Sequence, residues 1–313
     1  MNAPGRVCPL RYRYGPIAIA GAPERRAETL YAIGGLYGNL PALAAVDAMA
    51  RAEPGPVTLC FNGDFNWFNV DNAGFRAINE QVLRYDAILG NVEAELGEDS
   101  AAAGCGCAYP DTVAAGIVER SNAIHARLKR TAGRHPDLLR RLGELPMVAR
   151  YRVGAARVGV VHGDAEALAG WRFDITALDD PQEAAWRAEA FAKADVDIFA
   201  STHTCLPAMR CYDFDGPKLV ANNGAAGMPN ARGTNFGILT RIGTSASPHA
   251  SLYGQSVEGV QVDALAIHYD DTIWQQQFFA NWPEGSSAWL SYCDRITKGP
   301  SCRPQAAAGL APA

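Results

Sequence analysis

Five short segments constrain this chain more than any global property: Ile33-Gly-Gly-Leu-Tyr-Gly-Asn39, Phe61-Asn-Gly-Asp-Phe65, Leu89-Gly-Asn-Val-Glu93, Val160-Val-His-Gly-Asp164 and Ser201-Thr-His-Thr-Cys-Leu-Pro207. Each begins where an apolar, β-branched run stops, so each follows a predicted strand. Strands are predicted at 29–33, 57–61, 87–89, 147–153, 158–161, 196–200, 219–221, 236–241 and 260–268. They alternate with helical patterns at 42–52, 75–85, 112–131, 136–142, 182–192 and 271–281, the mark of an α/β fold. Polar side chains at five strand ends then converge on one sheet edge, where ligands bind in such sheets.

The remaining bounds agree with a soluble enzyme-sized chain. At 313 residues and 48% apolar content it can bury a large core. A net charge of -5 argues against generic nucleic-acid binding, because phosphate backbones are held mainly by Lys and Arg. The N-terminal apolar run is too short for a signal peptide and nothing later reaches a membrane span, so a cytoplasmic location is expected. In that compartment the eight cysteines are expected as free thiols or metal ligands. One domain is expected over 1–298, with a Gly-, Ala- and acid-rich insertion at about 97–111 and a Pro/Ala-rich tail over 299–313.

The ordered segments resemble the motifs of the calcineurin-like metallophosphoesterases: D-x-H, G-D, G-N-H-[DE], a lone H, then G-H-x-H. Position by position, Asp64, Asn91, His162 and His203 match. Gly35, Tyr37, Val92 and Cys205 stand where the family carries Asp, His, His and His. The stretch 221–229 resembles the family's N-P-G-S-x-G-x-P segment, and 267–270 its closing strand. The resemblance implies a four-layer α/β/β/α sandwich of two mixed sheets flanked by helices. In the family the four matching residues hold the second metal, and the lost Asp, His and second His hold the first. The resemblance therefore implies one divalent ion, Mn, Fe or Zn, bound by Asp64, Asn91, His162 and His203.

Taken singly, these residues have plainer readings. Gly-Asp after a strand suits a helix start, and a lone His can be a satisfied core residue. Asp164 can orient an imidazole or cap a turn, and Glu93 reads as structural. Asn39 sits where the family has a site-facing Asn and is a candidate catalytic residue. Tyr37 is a candidate proton donor in the erased metal position, or an aromatic plug. Cys105, Cys107 and Cys205 form a possible thiolate site. Trp67, Phe68 and Trp171 follow metal motifs closely and read as core aromatics or pocket walls.

One ion implies polarisation of a phosphoryl oxygen and activation of water. The expected activity is therefore hydrolysis of a small phosphorylated molecule, an ester or an anhydride. Two other readings stay open: a non-catalytic relative binding metal or a phosphorylated ligand, and a site repurposed around the three cysteines.

Overall fold

In the computed structural model, which describes residues 3–98, 102–302 and 304–309, twelve strands form two six-stranded sheets. One sheet runs β1 (Glu24–Ala27), β5 (Val148–Val153), β6 (Ala156–Val161), β7 (Ile198–Ser201), β9 (Pro217–Asn223), β8 (Pro207–Asp213). The other runs β11 (Ser251–Val257), β12 (Val260–Ile267), β10 (Gly237–Gly243), β2 (Thr29–Ile33), β3 (Val57–Phe61), β4 (Asp86–Ala87). Both are mixed: β2, β3 and β4 are parallel, as are β6, β7 and β9, while hairpin partners such as β5 and β6 are antiparallel.

Strand alternation sorts the side chains into three apolar layers. Leu30, Ala32 and Cys60 face Val158, Val160, Ile198 and Ala200 between the sheets. On the far side of the second sheet, Tyr31, Ile33 and Phe61 meet Val46 of helix Leu40–Ala52 and Ile78 of helix Asn72–Val82. Beyond the first sheet, Val161, Phe199 and Val220 meet Ala190 and Phe191 of helix Ala184–Ala194. The result is the expected four-layer α/β/β/α sandwich. Because the parallel strands share a direction, the loops after β2, β3, β4, β6 and β7 leave from the same edge.

Those loops touch at glycines. A Cβ on Gly63 would lie 2.5 Å from Gly90 Cα, and one on Gly34 2.2 Å from Thr202 Cβ. Backbone bonds Gly35 N–H to Gly63 O (3.1 Å) and Tyr37 N–H to Asp64 O (3.1 Å) zip the first two loops together. Among the described residues no helix is long and apolar enough to cross a membrane. Within the stretch expected as a tail, the carbonyls of Ala306 and Ala307 accept from Arg210 at 3.0 Å each.

The sheet also carries an enclosed ion pair. Arg241 on β10 donates to both oxygens of Glu53 at 2.6 and 3.0 Å, Tyr31 Oη donates to the same carboxylate at 2.7 Å, and both charged side chains have 0% exposure. Burial works against the Glu53 carboxylate, but its hydrogen bonds from Arg241 and Tyr31 outweigh this and hold its pKa below the usual value. That stability is present at neutral pH and is lost as pH falls through the lowered pKa. Glu53→Ala leaves the guanidinium only the Ser245 carbonyl and the Asp263 carboxylate at 3.6 Å and should cost on the order of 3 kcal/mol, read as a lower urea midpoint; an unchanged midpoint would refute the pair's role.

Candidate metal centre

Asp64 and His162 leave the ends of β3 and β6, His203 follows β7, and Asn91 opens helix Asn91–Leu96 just after β4. All four are at least 94% buried by exposure values of 6%, 0%, 5% and 1% in that order, so their polar atoms must find partners inside. His162 Nε2 lies 3.0 Å from Asn91 Oδ1, 3.4 Å from Asp64 Oδ1 and 3.2 Å from His203 Nδ1. Suitable ligand atoms of Asp64, His162 and His203 all lie within 4.8 Å of one another.

The outward-facing atoms decide which way each group points. His162 Nδ1 faces the Asn62 carbonyl at 2.8 Å and His203 Nε2 faces the Cys107 carbonyl at 3.0 Å, so each of these nitrogens carries the proton. Asn91 Nδ2 donates to Cys105 O at 3.0 Å, which turns Oδ1 inward. Asp64 Oδ1 also accepts from Val92 N–H at 3.1 Å. Two imidazole lone pairs, an amide oxygen and a carboxylate oxygen therefore face one another. Donors around an ion with bonds near 2.1 Å stand about 3.0–3.4 Å apart in octahedral or tetrahedral arrangements, the spacing seen between His162 Nε2 and its three neighbours, and the nitrogen and oxygen donors suit a borderline divalent cation.

The charges follow the geometry. Burial alone would lower the His162 pKa, but the adjacent Asp64 carboxylate reverses this and raises it. Burial would likewise raise Asp64, whose pKa is held below normal by His162 and His203. Burial and repulsion from His162 push His203 down to about 3, keeping it neutral. Behind the site, Glu93 accepts from Asp64 N–H (2.8 Å), Asn66 N–H (3.1 Å) and Asn66 Nδ2 (3.2 Å), while burial and then the Asp64 charge push its carboxyl up to about 7.

A cavity of about 120 Å³ opens beside the cluster, walled by Tyr37, Trp67, Tyr109, Trp171 and Cys205 along with three of the four polar residues. Tyr37 Oη lies 2.9 Å from Cys205 Sγ, and its ring folds back over Gly35, where an added Cβ would meet Cζ and Oη at 2.8 Å. Tyr37, Asp64 and Cys205 hold φ of 54°, 54° and 60°, strained for side-chain-bearing residues and typical of built sites.

Other expectations change. Asn39 does not line the cavity: its Oδ1 caps helix Leu40–Ala52 at Ala42 N–H (2.9 Å) and its Nδ2 donates to Gly227 O (3.0 Å), so both ends are engaged elsewhere. Asp164 caps its own loop through Glu166, Ala167 and Arg172 N–H groups and orients no imidazole. Part of the 97–111 insertion, residues 99–101, lies outside the described residues. Its described end reaches the site through the carbonyls of Cys105 and Cys107, and among the described residues no thiol joins the Asp64, His162, His203 group. Those carbonyls, and that of Asn62, were not among the sequence candidates; only the flanking glycines hinted at them.

No protein-family model matches the sequence, and no curated protein matches it. Solved structures do. A metallophosphoesterase from Sphaerobacter thermophilus is 18% identical, with a TM-score of 0.53 over 85% of this chain and 98% of its own. A hypothetical protein from Pyrococcus horikoshii is 13% identical, with a TM-score of 0.58 over 88% of this chain and 99% of its own. The chain has the calcineurin-like metallophosphoesterase fold.

A proton and a bound cation would compete for the same lone pair on His162. Affinity for a divalent ion should fall about tenfold per pH unit below the raised His162 pKa and level off above it, as measured by calorimetric titration across that range. A flat profile would show that His162 is not a ligand.

Proposed function

We propose that the protein is a metal-dependent phosphoesterase that holds one divalent ion, Mn, Fe or Zn, at Asp64, Asn91, His162 and His203 and acts on a small phosphorylated molecule. The convergence of four inward lone pairs on a buried point carries the reading, because without a cation or a proton they repel. An ion bound there supplies Lewis acidity toward a phosphoryl oxygen and makes water a better nucleophile at neutral pH. No Lys or Arg is among the described residues lining the cavity, and the nearby Arg295 is engaged with the Cys205 carbonyl at 2.6 Å, so an ion in the site would bring positive charge directly to a phosphoryl group.

The chain's own residues divide the remaining work. Val92 cannot give a proton to a leaving group, whereas the Tyr37 phenol faces the same cavity. Burial, then the nearby Cys205 and Asp64, raise the Tyr37 pKa well above normal, so the hydroxyl stays protonated and available as a donor. Trp67, Tyr109 and Trp171 exclude water and offer apolar walls to the organic part of the substrate.

Protein purified without a metal-affinity tag should contain about one ion per chain by plasma mass spectrometry, the stoichiometry of a single closed donor set. Asp64→Ala and His203→Ala should lose both the ion and turnover of phosphoesters. Wild-type metal content in these variants would sink the ligand assignment, and an ion without turnover would leave a non-catalytic binder. Tyr37→Phe should keep its ion yet lose about 10²–10⁴-fold in kcat for esters with basic leaving groups, while activated aryl esters change little. Equal loss for both substrate types would exclude proton donation by Tyr37.

A further inference from the structure

The Gly104-Cys-Gly-Cys107 run is read most readily as a thiol motif, and its geometry says otherwise. We infer that this segment positions two metal ligands through its backbone carbonyls: Cys105 O fixes the Asn91 amide and Cys107 O fixes the His203 ring. The inference rests on the ion being held by Asp64, Asn91, His162 and His203. Asn91 Nδ2 donates to Cys105 O at 3.0 Å, and His203 Nε2 donates to Cys107 O at 3.0 Å. Trp171 Nε1 donates to the same Cys107 carbonyl at 3.0 Å and rests edge-on to His203, with ring centroids 5.2 Å apart.

Remove these acceptors and both ligands become ambiguous. An unheld Asn91 amide can turn its NH₂ toward the cation, and an unheld His203 can move its proton to Nδ1, the nitrogen that faces His162. Outer partners of this kind set ligand tautomer and orientation, and their loss typically weakens metal binding 10–100-fold.

The sequence suits a carbonyl role better than a thiolate one. Gly104, Gly106 and Ala108 take φ of 61°, 70° and 49°, so alternate residues occupy the left-handed region. A Cβ on Gly106 would stand 2.5 Å from Tyr12 Oη and 3.3 Å from Asn91 O, and one on Gly104 would stand 2.2 Å from Asn122 Oδ1. Glycine is needed at both places. Both thiols are buried, and although Cys107 lines the cavity its Sγ faces the Asn91 amide nitrogen at 3.5 Å and the Cys105 carbonyl at 3.7 Å. The segment is pinned from outside as well: Cys105 N–H donates to Asn122 Oδ1 at 2.9 Å from helix Ala115–Ala132, and Gly5 N–H donates to Ala103 O at 2.9 Å.

Two readouts test this, Zn(II) affinity and the ¹⁵N-histidine spectrum of the metal-free protein, which reports which ring nitrogen carries the proton. Cys105→Ala/Cys107→Ala keeps both carbonyls and should bind Zn(II) as the wild type does. Gly106→Ala and Asn122→Ala should weaken binding about 10–100-fold and shift His203 away from its Nε2-protonated form. Asn122→Asp retains the acceptor for Cys105 N–H and should recover the wild-type tautomer. Loss of zinc in the double cysteine variant would overturn the inference in favour of thiol ligation. Unchanged affinity and tautomer in Asn122→Ala, which avoids the steric load of Gly106→Ala, would overturn it too. A wild type that binds no ion would instead defeat the metal reading, and the metal-free spectra would still decide whether the carbonyl holds His203.

Discussion

His162 Nε2 is the atom on which the rest of the site depends. Within 3.4 Å it meets an amide oxygen, a carboxylate oxygen and a second imidazole nitrogen, of which the amide and the imidazole are turned inward by fixed partners on their far sides. In a buried setting such an arrangement costs free energy unless positive charge sits among the lone pairs. The Asp64 carboxylate favours such charge there, raising the His162 pKa against the effect of burial. A divalent ion at this point would serve all four donors together and, by binding the folded chain, would stabilise the fold by mass action. Close approach of the strand-end loops is the structural precondition, and it rests on Gly34, Gly63 and Gly90 lacking side chains.

The other half of the cavity is filled by side chains of its own. The Tyr37 ring covers Gly35 so closely that any side chain there would meet it, and its hydroxyl touches Cys205. Gly35, Tyr37 and Cys205 are thus coupled by volume: the glycine makes room for the ring, and the ring and thiol together fill space that ligands would otherwise line. Filling that space leaves a wall formed by the Tyr37 ring and the Cys205 thiol.

Much of the fold could be read from periodicity. The strands at 29–33 and 57–61 coincide with those observed because buried central strands carry strong apolar runs, and the helix at 271–281 coincides too, its start fixed by the Asp270 cap on Ile273 N–H. Strands β8 and β11 were missed for the converse reason: both are edge strands, and β11 is almost wholly exposed, so its residues need not alternate in polarity. The site divides in the same way. Side-chain candidates stood out through residue type and order. The carbonyls of Asn62, Cys105 and Cys107 could not, since every residue carries one and only chain conformation aims it. Asn39 misled because an Asn in a strand-to-helix turn suits either a site or a helix cap, and here the cap holds it.

Glu93 connects the two kinds of information. Its carboxylate holds the Asp64 and Asn66 amides, fixing the turn that presents Asp64 in a left-handed conformation. It does so with a pKa near 7, raised by burial and by Asp64 itself. Neutralising Asp64 with a cation removes part of that repulsion, so the carboxylate form of Glu93, which accepts all three N–H bonds best, is favoured when the site is filled. Ligand and support would then be mutually reinforcing: an ion at Asp64 would steady the charge that holds the turn, and the turn would hold the carboxylate facing the ion.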